Sequence, residues 1–359
     1  MVEIVDAVED LTSEWFTEAL REGGSIGAGV SVTSAQSKPI GTGQLGLVAR
    51  AQLEYDTASG GPASLIVKLP SQDAGSRQLG TAMGVYEAEV RFYQEVAPRV
   101  DAHVPHMHWG AVESGTGRFT LVIDDLSPGS VVGNMVEGCS IEHVRSAVLE
   151  LVNLQAPSWD DQGLLRRGWI ANTARTQALF DAVPLALEPF LDRFADRLES
   201  DDVALVKRLA PQAPGYVGKA WHRPFVVTHG DYRLDNLMFG VEPSAPGVCI
   251  VDWQGARLGP PLIDVATFLG SCVSPEQRRA LEPDLLRSYH KELLARGVTG
   301  FSFDDCWAGY GRAAFYPFLL TVAVSVTIER TERGDAMWAQ MLRGAADLIR
   351  ATGAENVLD

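Results

Sequence analysis

The period of the apolar residues changes about a third of the way along this chain. Up to about residue 125 the clearest pattern is strand-like: Leu47, Ala49, Ala51, Leu53 and Tyr55 alternate with more polar positions. Val30 and Val32 suggest a preceding strand, Ser64 to Leu69 a short apolar one, and His108–Val112 and Phe119–Ile123 two more. A helix capped by Thr12 or Ser13 and closed by Gly23-Gly24 comes before them. Another is expected over Thr81–Val96, where Val85, Ala88, Phe92 and Val96 stand three or four apart. Beyond residue 125 the helical period takes over. Helices are expected at Ile141–Ala156, 174–182, 186–211, 276–296, 304–330 and 335–351, interrupted by short strands at Phe225–Thr228, Leu237–Phe239 and Val248–Asp252. Strands with one helix followed by a long helical remainder make an α+β chain of two lobes, and 359 residues are enough for both. The boundary is expected after Ile123-Asp124-Asp125-Leu126, giving lobes of 1–126 and 127–359.

The richest polar string is His229-Gly230-Asp231-Tyr232-Arg233-Leu234-Asp235-Asn236, with Asp252 a further 16 residues on. Asp231 follows the apolar run Phe225-Val226-Val227, and Asp252 ends the run Val248 to Val251. Acidic and amide groups at strand ends suit phosphoryl transfer. One aspartate orients an acceptor hydroxyl and takes its proton, while an asparagine and a second aspartate hold Mg²⁺ against nucleotide phosphates. Asp264, in Gly259-Pro260-Pro261-Leu262-Ile263-Asp264, either braces this loop through its backbone or His229, or caps a helix.

Gly41-Thr42-Gly43-Gln44-Leu45-Gly46 is followed by a strand pattern, so its glycines (Gly41, Gly43 and Gly46) belong to a hairpin turn rather than a dinucleotide-binding turn. That placement suits a loop covering phosphates; an ordinary hairpin is the alternative. Only five of the 30 basic residues are lysines, and one of them, Lys68, sits in the apolar strand. A buried ammonium needs a partner, and helical register selects Glu89 over Glu87. The alternative is a lysine reaching solvent from an edge strand.

In this order the residues resemble the aminoglycoside phosphotransferase and choline-kinase-like superfamily. The wording Asp252-Trp253-Gln254 and Gly259 to Leu269 is most similar to the ecdysteroid-kinase-like branch (CHK kinase-like), and His229 to Phe239 also resembles kinase-like domains associated with acyl-CoA dehydrogenases. The resemblance implies a protein-kinase-like fold: an N-lobe with a five-stranded antiparallel sheet and a helix, hinged to a larger, mainly helical C-lobe, with ATP between them. It makes Asp231 the catalytic base and Asn236 and Asp252 the Mg²⁺ ligands. Lys68 and Glu89 would position phosphates, Asp124 and Leu126 would bond adenine through their backbone, and Met238 and Val251 would floor the ring. Two departures stand out: Gln155 occupies a position where the family often has histidine, and Trp253 replaces a common phenylalanine. The tryptophan is expected to pack rather than react.

The expected activity is transfer of a phosphoryl group from ATP to a hydroxylated small molecule. An aminoglycoside-resistance kinase and a non-catalytic pseudokinase are the alternatives. A protein acceptor fits less well, since only 11 residues separate Asp252 from Asp264 and leave little room for a peptide platform. The net charge of −16 argues against nucleic acid and would welcome a cationic acceptor. The longest uncharged run, Ala313–Ile328, has 16 residues and is short for a membrane span. Four scattered cysteines and an acidic start lead to the expectation of a reduced, cytoplasmic protein. The string His103-x-x-His106-x-His108 reads as a loop rather than a metal site. Trp159, Trp169, Trp307, Tyr310, Tyr316 and Trp338, aromatic residues of the helical part, are candidates for an acceptor pocket or for core.

Overall fold

The structure, a computed structural model, describes residues 2–41, 45–58, 60–241 and 247–358. The chain forms two compact units, neither continuous in sequence. One comprises Met1–Pro98, Val104–Ser130 and Val251–Gln254; the other comprises Arg99–His103, Val131–Ile250 and Gly255–Asp359.

The first unit is built on five antiparallel strands: β1 Val32–Ile40, β2 Gly46–Tyr55, β3 Ser64–Pro70, β4 Met107–Glu113 and β5 Arg118–Asp124, in the order β1-β2-β3-β5-β4. One face carries Ala51, Leu53, Leu65, Val67, Leu69 and Val122 into a core with Trp15, Phe16, Ala19 and Leu20 of the helix Ser13–Glu22. That helix starts where expected: the Thr12 hydroxyl accepts the Trp15 N–H at 3.1 Å. Alternation turns Lys68 to the opposite face. It pairs with Val48 on β2 and Leu121 on β5, so it lies in a central strand and not at an edge.

The single helix expected over Thr81–Val96 is two. Ala74–Met83 ends at Gly84, whose φ of +65° is left-handed, and Val85–Arg91 begins there before passing into a wider π turn over Phe92–Val96. Gly84 donates its N–H to the Gly80 and Thr81 carbonyls, a helix ending that glycine adopts at least cost. The second helix packs against β4 and β5, with Tyr86 stacked on Phe119 at 4.7 Å.

The second unit is mainly helical. Its buried axis is Ile263–Cys272, all ten residues of which are buried. Helices Ile141–Ser158, Pro275–Ala295 and Glu332–Ala351 surround it. Gly270 and Gly344 bring two of these backbones together: a Cβ on Gly344 would lie 1.5 Å from the Gly270 carbonyl oxygen. Ile141, in the first turn of its helix, is 53% exposed. The helix expected over 186–211 divides into Val183–Phe194 and Ser200–Leu209, because Leu198 and Glu199 are extended and Asp201 and Asp202 open a new first turn. The helix expected over 304–330 divides into Phe303–Ala313 and Phe315–Ser325; Pro317, lacking an N–H, falls in the first turn of the second. Tyr310, Tyr316 and Trp338 are core residues. Among the described residues no helix is long and apolar enough to cross a membrane.

Candidate active site

In the first unit the sheet's second face carries a charge cluster. The Lys68 ammonium donates to Glu89 Oε1 and, at 3.1 Å, to Asp252 Oδ1. Glu89 is 1% exposed and also accepts the Trp253 N–H at 3.3 Å. Burial pulls the Lys68 ammonium toward neutrality, but Asp252 and Glu89 outweigh it and hold its pKa above the ordinary lysine range. Burial and the Asp252 charge push the Glu89 carboxyl up, against the pull of Lys68. Asp252 does not extend the strand Val248–Ile250 as expected. It has a φ of +67°, a left-handed conformation uncommon outside glycine. Trp253 is wholly buried and stacks on Phe92, with centroids 3.6 Å apart and planes 6° from parallel, so it packs as expected.

Gly41 closes β1 with φ +71° and Gly46 opens β2; Gly43 lies outside the described residues. The Tyr86 hydroxyl, which sequence reasoning missed, donates to the Leu45 carbonyl and ties the exit of that turn to the helix bearing Glu89. Asp124 ends β5, gives its N–H to the His106 carbonyl at 3.0 Å, and places its carboxylate 2.8 Å from His108 Nε2. The Leu126 carbonyl accepts from Gly129 at 3.1 Å. Val251 stands directly before Asp252.

In the second unit the strand Val226–Thr228, paired with Arg257–Gly259, delivers the loop His229–Asn236. Asp264 is fully buried, and its two oxygens accept the His229 N–H at 2.7 Å and the Gly230 N–H at 3.0 Å. Gly230 has φ +79°, and a Cβ there would meet the Gly255 carbonyl oxygen at 2.6 Å, so the turn requires glycine. His229 Nδ1 accepts the Asp231 N–H at 3.3 Å, and the Tyr316 hydroxyl donates to the Gly230 carbonyl at 3.0 Å. Asp231 thus stands on a loop whose backbone is held from three sides. Its carboxylate accepts from Asn236 Nδ2 at 2.9 Å and from Arg233 Nε at 3.0 and 3.1 Å. Met238 follows on the strand Leu237–Gly240, opposite Cys249.

The donor chemistry fits a hard cation. With Asn236 Nδ2 committed to Asp231, the amide presents its oxygen elsewhere, and Asp252 keeps its carboxylate 34% exposed. Gln155, whose role the sequence left open, is a structural tie. It is fully buried, donates to the Pro261 carbonyl at 2.9 Å and accepts the Tyr289 hydroxyl.

Solved structures share this fold at low identity. A microcompartment-associated aminopropanol kinase is 14% identical, with 90% of this chain and 95% of that one covered and a TM-score of 0.52. The GDP complex of aminoglycoside 2'-phosphotransferase-IIIa is 13% identical over 90% and 94% of the two chains, with a TM-score of 0.51. A Plasmodium vivax ethanolamine kinase is 10% identical over 89% and 83%, also with a TM-score of 0.51. Such identities speak for the protein-kinase-like fold. No curated protein matches the sequence. The profile of the ecdysteroid kinase-like family matches residues 41–297, from the glycine-rich turn through the loop of Asp231 and beyond Asp264, and the chain belongs to that family.

Proposed function

We propose that this protein transfers the γ-phosphate of ATP to a hydroxyl of a small molecule. The observation that carries the reading is the Lys68–Glu89–Asp252 cluster: an ammonium kept charged on a central strand by two carboxylates, one of which is still a third exposed. Structural neighbours named as kinases of aminopropanol and ethanolamine and as an aminoglycoside phosphotransferase support the same class of reaction.

In this reading Lys68, fixed by Glu89, contacts the nucleotide phosphates. The glycine turn bounded by Gly41 and Gly46 covers them, and Asp124, Leu126, Met238 and Val251 receive the base. Asp231 orients the acceptor hydroxyl and takes its proton. Asn236 and Asp252 would hold Mg²⁺, which when bound would neutralise phosphate charge. His229 and Asp264 keep the loop in place. Nucleotide positioning is assigned mainly to residues 1–126 and acceptor selection to 127–359. Rate acceleration comes from positioning and from fixed charge, since phosphoryl transfer asks little covalent chemistry of the protein.

The test is ADP release from Mg-ATP over pools of hydroxylated compounds, with Asp231→Ala as the blank. A pool that raises ADP release in the intact protein alone supports the reading. Equal rates in the two proteins for every pool, with Mg-ATP bound, would sink it.

A further inference from the structure

Arg233 lies inside the loop string, where the sequence offered no role for it. Its side chain is 18% exposed, and its Nε faces both oxygens of Asp231. Its Nη1 is 3.2 Å from Asp235 Oδ2 and 3.5 Å from the Met337 sulfur. Asp235 also takes the Met135 N–H at 3.1 Å and Arg333 Nη2 at 2.5 Å, the latter from the first turn of Glu332–Ala351.

Two carboxylates and two guanidiniums therefore alternate along one chain of contacts, and their formal charges cancel. The acidic residues beside Arg333 are paired as well: Glu332 with Arg197 at 2.7 Å, and Asp335 with Arg193 at 2.6 Å and Arg330 at 3.1 Å. A cationic acceptor approaching Asp231 would have to displace charge-assisted hydrogen bonds before gaining its own. This local balance opposes what the net charge of −16 suggests for the molecule as a whole.

We propose that Arg233 is the positioning and specificity-determining residue of the transfer. It fixes the Asp231 carboxylate for the acceptor hydroxyl and, with Arg333, cancels the charge of Asp231 and Asp235, so that the acceptor is an uncharged hydroxyl compound and not an amine. The proposal rests on the phosphotransferase reading above. In the step itself the acceptor oxygen bonds to the γ-phosphorus, the bond from that phosphorus to the bridging oxygen breaks, ADP leaves, and the hydroxyl proton passes to Asp231. Arg233 stays charged throughout and keeps Asp235 as partner when Asp231 is neutral.

The experiment measures kcat and KM with pairs of acceptors, one uncharged and one cationic, 1,2-propanediol against 1-amino-2-propanol and sorbitol against kanamycin, in intact protein and in Arg233→Gln, Arg233→Lys and Arg333→Gln. Arg333 is 60% exposed, so its variant guards against a trivial folding defect. The uncharged members should be preferred by roughly tenfold in kcat/KM. Arg233→Gln should lower kcat for them by about 10- to 100-fold with little change in KM, as expected for a misplaced base. Arg233→Lys should recover part of that loss, and Arg333→Gln should narrow the charge preference. Amines used as well as neutral partners by the intact protein would overturn the proposal, and so would an unchanged kcat in Arg233→Gln. If no acceptor is used, ADP release to water decides: a slower rate in Arg233→Gln supports the positioning role, and equal rates overturn it. Absence of ADP even with water as acceptor would instead remove the phosphotransferase reading, and this proposal with it.

Discussion

Replacing Lys68 by methionine keeps most of the length of the side chain and removes the cation between Glu89 and Asp252. Asp252 is 34% exposed and can turn to water; Glu89 is 1% exposed and cannot. Removing one partner of a buried ion pair costs about 3–5 kcal/mol. Here the loss has a ceiling, because Glu89 can take up a proton. Starting from an ordinary glutamate pKa of about 4.3, protonation at pH 7 costs about 3.7 kcal/mol, and at pH 5.5 about 1.6 kcal/mol. The Trp253 N–H, still bonded to Glu89, trims the first figure to about 3 kcal/mol. The sign follows from the direction of each shift. A carboxyl whose pKa is raised by burial contributes stability at pH below its unfolded value and loses that contribution as pH rises through its folded value. The variant should therefore lose more stability at pH 7 than at pH 5.5. In the intact protein the raised Lys68 pKa contributes stability that disappears only in strong alkali, so Lys68 itself adds no slope between those two values. Urea denaturation at both pH values measures the difference, and hydrogen exchange over Val85–Val96 reports it locally. A loss under 0.5 kcal/mol, or the same loss at both pH values, refutes the reasoning.

Asp264→Ala leaves the His229 and Gly230 N–H groups buried without their acceptor, which should cost about 2–5 kcal/mol in a denaturation experiment, with Asp264→Asn costing less. Gly344→Ala forces a methyl into the Gly270 carbonyl, and separation of the two helices should lower stability by about 3 kcal/mol or more, read as a fall in Tm. Gln155→Leu preserves bulk but strands the Pro261 carbonyl and the Tyr289 hydroxyl, a loss of about 1–3 kcal/mol in the same assay.

Local chemistry made much of this legible. The alternation from Leu47 to Tyr55 and the Thr12 cap could be read because strand period and capping are properties of neighbouring residues. The Lys68–Glu89 pair was foreseeable for a similar reason: a charged group in an apolar strand demands a partner, and helix register names it. What stayed hidden depends on conformation or on distant partners. Gly84 sits in a sequence of good helix formers, and nothing before the fold shows that its φ is positive. Asp252 looked like the last residue of a strand because Val251 continues the apolar run, but the backbone turns left-handed there and brings the carboxylate to Lys68. Arg233 was invisible as a functional residue, since its meaning comes from Asp231, Asp235 and an arginine 100 positions further on. Gln155 likewise gains its role from Pro261 and Tyr289.

The four residues Val251–Gln254 belong to the first unit, though the strands on either side of them, Val248–Ile250 and Arg257–Gly259, belong to the second. No single cut therefore releases the sheet-bearing unit whole. A fragment ending at Ser130 would keep Lys68 and Glu89 yet lack the second carboxylate of the cluster and the indole stacked on Phe92. All five strands are made with the first third of the chain, but the unit they belong to is finished only when the ribosome has made Val251–Gln254 from the far half. Exchange of this unit between relatives would need three grafts made together, Met1–Pro98, Val104–Ser130 and Val251–Gln254.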